Sequence, residues 1–305
     1  EQFNNLRISL MRQVASGYLQ LIMLDEQLEI ARAAVESYRE SLELFNNQAM
    51  GGVADQLQVS SAQAALSSAE AQIPSLESQI AELENSLSVL AGRMPGRIQR
   101  SGSMKAFAKA SSVPAGIPAD VIARRPDIRA AELSLRAANA DIGVAIASYF
   151  PSISLTGVAG YASADLTSSL RGKHNGWGIG ASLTGPIFQA GQLRANELMK
   201  RDAFLAAKAE YEQTVLSAMS EISTTLIQRA KLREIMNKQE EAVAAYQESV
   251  KLAKARYTQG LSSYYEVLTA QQGLFPAQKQ LASYRYQYAA CIPTLYTQLG
   301  GGWQK

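Results

Sequence analysis

The chain has 305 residues, with 29 Lys and Arg against 27 Asp and Glu, and so even a charge balance argues against a nucleic-acid partner. A single cysteine, Cys291, excludes an intramolecular disulfide framework or a cysteine-rich metal site, and a single histidine, His174, leaves little for histidine-based catalysis. No apolar run approaches the ~20 residues of a transmembrane helix.

The opening residues, EQFNNLRISL, read as the middle of a helix with no signal peptide before them, so the chain is expected to be a mature fragment lacking its N-terminal part. Leu21, Leu24, Leu28, Ala31, Val35, Tyr38, Leu42 and Phe45 recur at alternating steps of three and four. That 3.5-residue period demands left-handed coiled-coil packing. After the glycine phrase GGVADQLQ the period resumes through Leu66, Ala69, Ile73, Leu76, Ile80, Leu83, Leu87 and Leu90. Two apolar stripes about a glycine turn predict a helical hairpin over 1–92, with its tip near 50–55. Residues 93–125 lack this period and are rich in Ser, Ala, Pro and Gly. Pro126 then opens a helix over 126–150, with Asp127 complementing its N-terminus and Arg124 and Arg125 on the surface.

Between Pro151 and Phe188 the helical period stops. Ile153, Leu155, Gly157, Ala159 and Tyr161 alternate with Ser152, Ser154, Thr156, Val158 and Gly160. Trp177, Ile179, Ala181 and Leu183 alternate with Gly176, Gly178, Gly180, Ser182 and Thr184. Such runs suit tilted transmembrane strands, one face toward lipid and the other toward a lumen. Tyr161 and Trp177 fall near the loop end, where an aromatic girdle sits. The competing reading is a soluble two-stranded excursion, but a lone hairpin is marginal in water. An open edge cannot stand in lipid, so a membrane hairpin requires the chain to oligomerise.

A second helical hairpin follows over 189–299, with its tip near 258–263 and a tail at 300–305. From about Leu193 to Tyr257 neither proline nor glycine interrupts it, which amounts to roughly 100 Å of helix. Its stripe runs through Leu232, Met236, Val243, Tyr246 and Val250, and returns through Leu274, Ala277, Leu281, Tyr284, Tyr288, Cys291 and Leu295. Pro74 and Pro276 are expected to kink the return helices rather than stop them. The two hairpins are copies: at an offset of 208, Gly52, Ala62, Gln63, Leu66 and Ala69 match Gly260, Ala270, Gln271, Leu274 and Ala277 without a gap. Duplication of a unit this long implies a repeated half-molecule. Since the strands precede the second hairpin, a matching pair is expected ahead of the first, upstream of Glu1.

The stretch GIPADVIARRPDIRAAELSLRAANADIGVAIASYFPSISLTG, from Gly116 to Gly157, resembles the outer-membrane efflux protein family, the TolC/OprM-like channels, and in particular its NodT branch. The tips GGVADQLQVSSAQAAL and ARYTQGLSSYYEVLTAQQGL and the terminal LYTQLGGGW also fit. The resemblance covers essentially the whole chain. It departs at the start, where the branch's lipidated cysteine, opening segment and first β-hairpin are missing. It implies a mainly α fold with a transmembrane β-hairpin, assembled as a homotrimer. A twelve-stranded β-barrel in the outer membrane would continue into a long coiled-coil α-barrel through the periplasm, with residues 93–125 in an equatorial girdle. The implied role is the passive exit duct of a tripartite efflux pump. The implied partners are a periplasmic adaptor, an inner-membrane resistance-nodulation-division transporter and outer-membrane lipid.

No nucleophile is paired with a base along the chain, and neither an enzyme nor a cofactor is expected. Arg124-Arg125-Pro126-Asp127 reads as a helix start, and GGGW at Gly300 has no following helix and makes no phosphate loop. Cys291 reads as a small buried hydrophobe, and His174 as a solvated loop residue. The tips carry what remains. Gly52, Val53, Gly260, Leu261 and Ser262 are expected to touch the adaptor, since small and apolar residues at a helical turn suit partner-helix docking. From the resemblance, Glu266 matches a gating carboxylate, Tyr265 an apolar gating position, and Tyr257 a tyrosine that ties neighbouring tips together. Thr269 departs from a second acidic gating position. Glu266 also reads simply as a solvated helix residue. Two other functions share parts of this pattern: an outer-membrane channel for protein secretion, and a soluble periplasmic coiled-coil adaptor, which needs no alternating strands.

Overall fold

The computed structural model describes residues 1–52, 54–104, 107, 124–161 and 175–301. Val53, His174, Trp303, much of the segment expected in the girdle and most of the loop joining the strands lie outside them. The described residues form five long helices and two strands. In chain order these are α1 (Gln2–Met50), α2 (Gln56–Leu90), α3 (Pro126–Ala147), β1 (Ser152–Tyr161), β2 (Asn175–Thr184), α4 (Gln192–Thr258) and α5 (Tyr265–Gln298). The fold is mainly helical with one small sheet, as the two sequence periods require. The chain divides into two compact units, one of residues 1–127 with 216–305 and one of residues 128–215.

In the larger unit α1 packs against both α2 and α5. The α1 stripe is the core: Leu21, Leu24, Ala31, Val35, Tyr38 and Phe45 are buried. Leu66, Ala69, Leu76, Ile80 and Leu87 bury the facing stripe of α2. One cluster gathers Leu21, Leu24, Leu76, Ile80 and Leu87 with Ala282 and Ala289 of α5. A second, toward the tips, joins Val35, Tyr38, Phe45 and Leu66 to Tyr264, Val267 and Leu268. A third sits between α4 and α5 at Val243, Leu274, Ala277 and Leu281. Pro74, Pro276 and Pro293 all lie inside continuous helices.

The duplication is visible in the backbone. Gly52 and Gly260 have φ of +73° and +72°, and Gly92 and Gly300 have +67° and +64°; each pair is 208 positions apart. Glycine enters this left-handed region at little cost, and it closes all four helix ends alike. Arg93 N–H donates to Ser88 O and Gly301 N–H to Tyr296 O, at 2.9 and 3.0 Å. These six-to-one bonds satisfy carbonyls that a helix end leaves open.

Two expectations are corrected here. Arg125 is not on the surface: it is 7% exposed. Its guanidinium donates to Asp127 at 2.7 Å, to Glu221 of α4 at 3.0 Å and to the Gln298 carbonyl at 3.3 Å. Burial works to lower its pKa, but the two carboxylates outweigh burial and raise it. A guanidinium this deep needs such partners to offset its lost hydration. Tyr246, placed in the α4 stripe, is 43% exposed. Gly273 has no side chain at that level, and a Cβ there would sit 2.6 Å from the Tyr246 ring. The ring lies across the glycine instead of entering the seam.

Past α2 the chain folds back onto the hairpin. Arg100 reaches Asp25 of α1 at 2.8 Å and also Glu84 of α2, and the Tyr18 hydroxyl accepts from Ser101 N–H at 2.8 Å. In the smaller unit β1 and β2 form one antiparallel pair, Ser152 opposite Thr184 and Tyr161 opposite Asn175. Lys200 of α4 pairs with Asp141 of α3 at 2.9 Å, and the Tyr149 hydroxyl donates to Glu197 at 3.1 Å. Ala190 and Gly191, both at positive φ, make the tight turn into α4.

Candidate functional site

The two tips are built by the same means. After α1, Gly52 N–H donates to Ala49 O at 3.0 Å, and Asp55 caps α2 by accepting from Gln58 N–H at 2.9 Å. After α4, Leu261 N–H donates to Arg256 O at 2.9 Å, and the Ser263 hydroxyl accepts from Tyr265 N–H at 3.2 Å as α5 begins. Gly52 and Gly260 both face open space. Leu261 is 66% exposed. The Ser262 hydroxyl oxygen is buried and has no hydrogen-bond partner among the described residues.

Behind the tips lies a group that sequence reasoning missed. Tyr264 is buried between Phe45 and Tyr257, with ring centroids 5.5 and 5.0 Å away, both edge-on. Edge-to-face rings add about 0.5–1.5 kcal/mol per pair beyond burial. Gln48 of α1 donates to the Tyr257 hydroxyl at 2.9 Å, so this tyrosine ties the two tips of one chain. Deeper in, Ser41 donates to the Ser37 carbonyl at 2.8 Å and lies 3.3 Å from both the Tyr264 hydroxyl and Gln271 Oε1. Gln271 Nε2 donates to the Ser37 hydroxyl at 2.7 Å. The signal available in the sequence was polar residues, Ser41 and Gln271, sitting beside heptad core positions.

Tyr265 and Glu266 open α5 and are both exposed. Tyr265 stands at one end of an open groove of about 930 Å³ bordered by α1, α2 and α5, whose lining includes Ala34, Ser61, Ser68, Gln272 and Phe275. The Glu266 carboxylate lies 3.9 Å from Arg256 Nε, and both side chains are about half exposed. The sequence offered Glu266 as a gating carboxylate or a solvated helix residue; the structure sets the Arg256 guanidinium beside it. Thr269 donates back to the Tyr265 carbonyl at 2.9 Å. Cys291 is 7% exposed and donates to Gln287 O at 3.3 Å. Among the described residues no three His, Cys, Asp or Glu side chains converge as metal ligands.

The strand pair separates its faces as the alternation requires. Ile153 opposes Leu183, Leu155 opposes Ala181, Gly157 opposes Ile179 and Ala159 opposes Trp177, so the apolar residues of both strands share one face. Ile153, Leu155, Trp177, Ile179 and Leu183 are each 70–78% exposed. The other face carries Ser, Thr and Gly with Val158, and the Ser154 and Ser182 hydroxyls meet at 2.6 Å. Ten residues at ~3.4 Å each, tilted ~45°, span ~24 Å, the height of an outer-membrane apolar band. Trp177 lies two positions from the loop end of β2. Among the described residues no helix is long and apolar enough to cross a membrane.

Known proteins share this arrangement. The family described as "Outer membrane efflux protein" matches residues 1–93 and 117–301. The toluene efflux pump outer membrane protein TtgI of Pseudomonas putida is 36% identical over 99% of this chain, and the chain spans 64% of that relative's length. The cation efflux system protein CusC of Escherichia coli is 32% identical over 98% of the chain, which spans 65% of it. Among solved structures, the outer-membrane channel OprN superposes with a TM-score of 0.89 at 29% identity, covering all of this chain and 68% of its own. The resemblance read from the Gly116–Gly157 stretch is thus met along nearly the whole chain, and the chain belongs to the outer membrane efflux protein family, a non-enzymatic family whose members reside in the outer membrane.

Proposed function

We propose that this chain forms most of a passive outer-membrane exit duct, assembled from three copies and serving a tripartite efflux pump. The observation that carries the proposal is the strand pair. Its apolar face is bare, and both of its edges lack strand partners among the described residues. Unpaired edges are not tolerated in lipid, so the strands must join others in a closed barrel. A twelve-stranded barrel from three copies takes two hairpins per chain, one of which is β1–β2. The helical hairpins continue the duct into the periplasm. Their tips, with Gly52, Val53, Gly260, Leu261 and Ser262, meet a periplasmic adaptor, and through it an inner-membrane transporter. Tyr265 and Glu266 line the narrowest ring, and the resting mouth is closed. Relatives named for toluene and for cations favour small solutes over secreted protein as cargo.

The test is the mass of the full-length protein in detergent, followed by conductance in planar bilayers. A trimer that conducts is the expected result. A stable detergent-solubilised monomer, or a trimer that stays in the aqueous phase, overturns the reading.

A further inference from the structure

Positions 208 apart carry the same ion pair in both helical hairpins with the charges exchanged. In the first, Arg32 of α1 meets Glu77 of α2 at 3.0 Å, and the side chains are 60% and 52% exposed. In the second, Glu240 of α4 meets Arg285 of α5 at 2.9 Å. The exchange puts the arginine on the helix that packs against α1. There its side chain is only 10% exposed and takes a second carboxylate, Glu26 of α1, at 3.1 Å. An exposed pair within one hairpin has become, in the other, a buried arginine shared between hairpins. Nothing in the repeat demands this departure.

The two contacts tie different things. Arg285 offers separate nitrogens, Nη1 to Glu26 and Nη2 to Glu240, as a guanidinium with its fork of donors can. Glu240 belongs to the same hairpin as Arg285, whereas Glu26 belongs to the other. A motion that slides or tilts α4 and α5 together against α1 stretches the Nη1 contact and spares the Nη2 contact. A buried charge left without a partner is strongly unfavourable, and Glu240 prevents that outcome. Glu26, 30% exposed, regains water when released. Nearer the tips the same α1–α5 seam is held by neutral side chains, Ser41 and Ser37 against Tyr264 and Gln271. Glu26 and Arg285 each lie about 38 Å of helix from the tip glycines.

We propose that Glu26 and Arg285 form a releasable clasp between the hairpins, closed in the resting duct and broken on opening, with Glu240 as the counter-ion that Arg285 keeps in both states. The proposal rests on the gated-duct reading above. Full-length protein is reconstituted in planar bilayers as wild type, Glu26→Gln, Glu26→Lys, Glu240→Gln and the charge-reversed triple variant Glu26→Arg, Glu240→Arg, Arg285→Glu. Glu26→Gln is expected to raise the open fraction roughly tenfold with its thermal midpoint nearly unchanged. Glu26→Lys opens the duct further. Glu240→Gln lowers the thermal midpoint more than Glu26→Gln does, and the triple variant returns the open fraction toward wild type. A conducting wild type beside Glu26→Gln and Glu26→Lys channels of unaltered open fraction overturns the clasp and leaves the duct reading standing. Conductance from neither wild type nor any variant overturns both.

Discussion

Among single residues, the charges flanking the second helical tip come as a pair. Glu266 lies 3.9 Å from Arg256 and both are about half exposed, so the pair is weak in water and stronger in a narrow ring where the dielectric falls. Glu266→Gln is therefore expected to lower cation preference in planar bilayers, and Arg256→Gln to raise it by exposing the carboxylate. If both leave the reversal potential in a salt gradient unchanged, the constriction lies elsewhere. Cys291 behaves differently. Burial raises its thiol pKa, with Arg229 opposing, so at pH 8 the folded protein holds less thiolate than a free cysteine does. Since the thiolate is the nucleophile, alkylation of the folded protein is expected to be slow and to accelerate in denaturant. Mass spectrometry over time checks this, and equal rates in both conditions would refute it.

At the scale of elements, the four glycine-closed helix ends look alike but are not equally tolerant. Gly92 has φ of +67° with nothing within 4 Å of its would-be Cβ. Alanine there meets only the backbone penalty of the left-handed region, about 1 kcal/mol. Gly300 has φ of +64°, and a Cβ would sit 3.0 Å from the Arg124 and Arg125 backbone. Gly300→Ala is expected to cost about 1–3 kcal/mol more, because that backbone is held by the buried Arg125 network. Thermal unfolding in detergent ranks the two, and equal midpoints contradict the account. At the tips, Leu261→Glu alters an exposed side chain outside the Phe45–Tyr264–Tyr257 cluster. It is expected to leave the trimer folded and to abolish adaptor binding, measured by co-purification.

At the scale of the whole molecule, the two faces of the strand pair should respond oppositely. Ile179 sits mid-strand on the apolar face. Ile179→Arg is expected to cost about 2–4 kcal/mol per copy in lipid and to reduce the yield of trimer from membranes. Ser154→Lys, on the polar face, should assemble normally and shift ion selectivity. Normal assembly of both variants would argue that the hairpin does not meet lipid. Burial along α4 is sparse, with Ile222, Arg229 and Val243 among its few buried side chains; in the proposed trimer, neighbouring copies would cover its remaining faces.

The helical hairpins, their glycine tips and the strand pair were legible in the amino-acid sequence. Those features rest on local patterns: steps of three and four from Leu21 to Phe45, steps of two from Ile153 to Tyr161, and the glycines at positive φ just past the C-terminal ends of α1, α2, α4 and α5. The duplication was legible for the same reason, and it reappears as paired φ values at Gly52 and Gly260. What the tertiary structure decided are contacts between residues far apart in the chain. Arg125 looked like a surface arginine until Glu221 and the Gln298 carbonyl were found against it. Tyr264, one residue from the predicted gate, proved to be the buried centre of the tips, and Tyr246 left its stripe because Gly273 offered a flat surface. The sharing of Arg285 between Glu26 and Glu240 needs three helices to meet, and no period along one chain segment encodes which residues of another will face it.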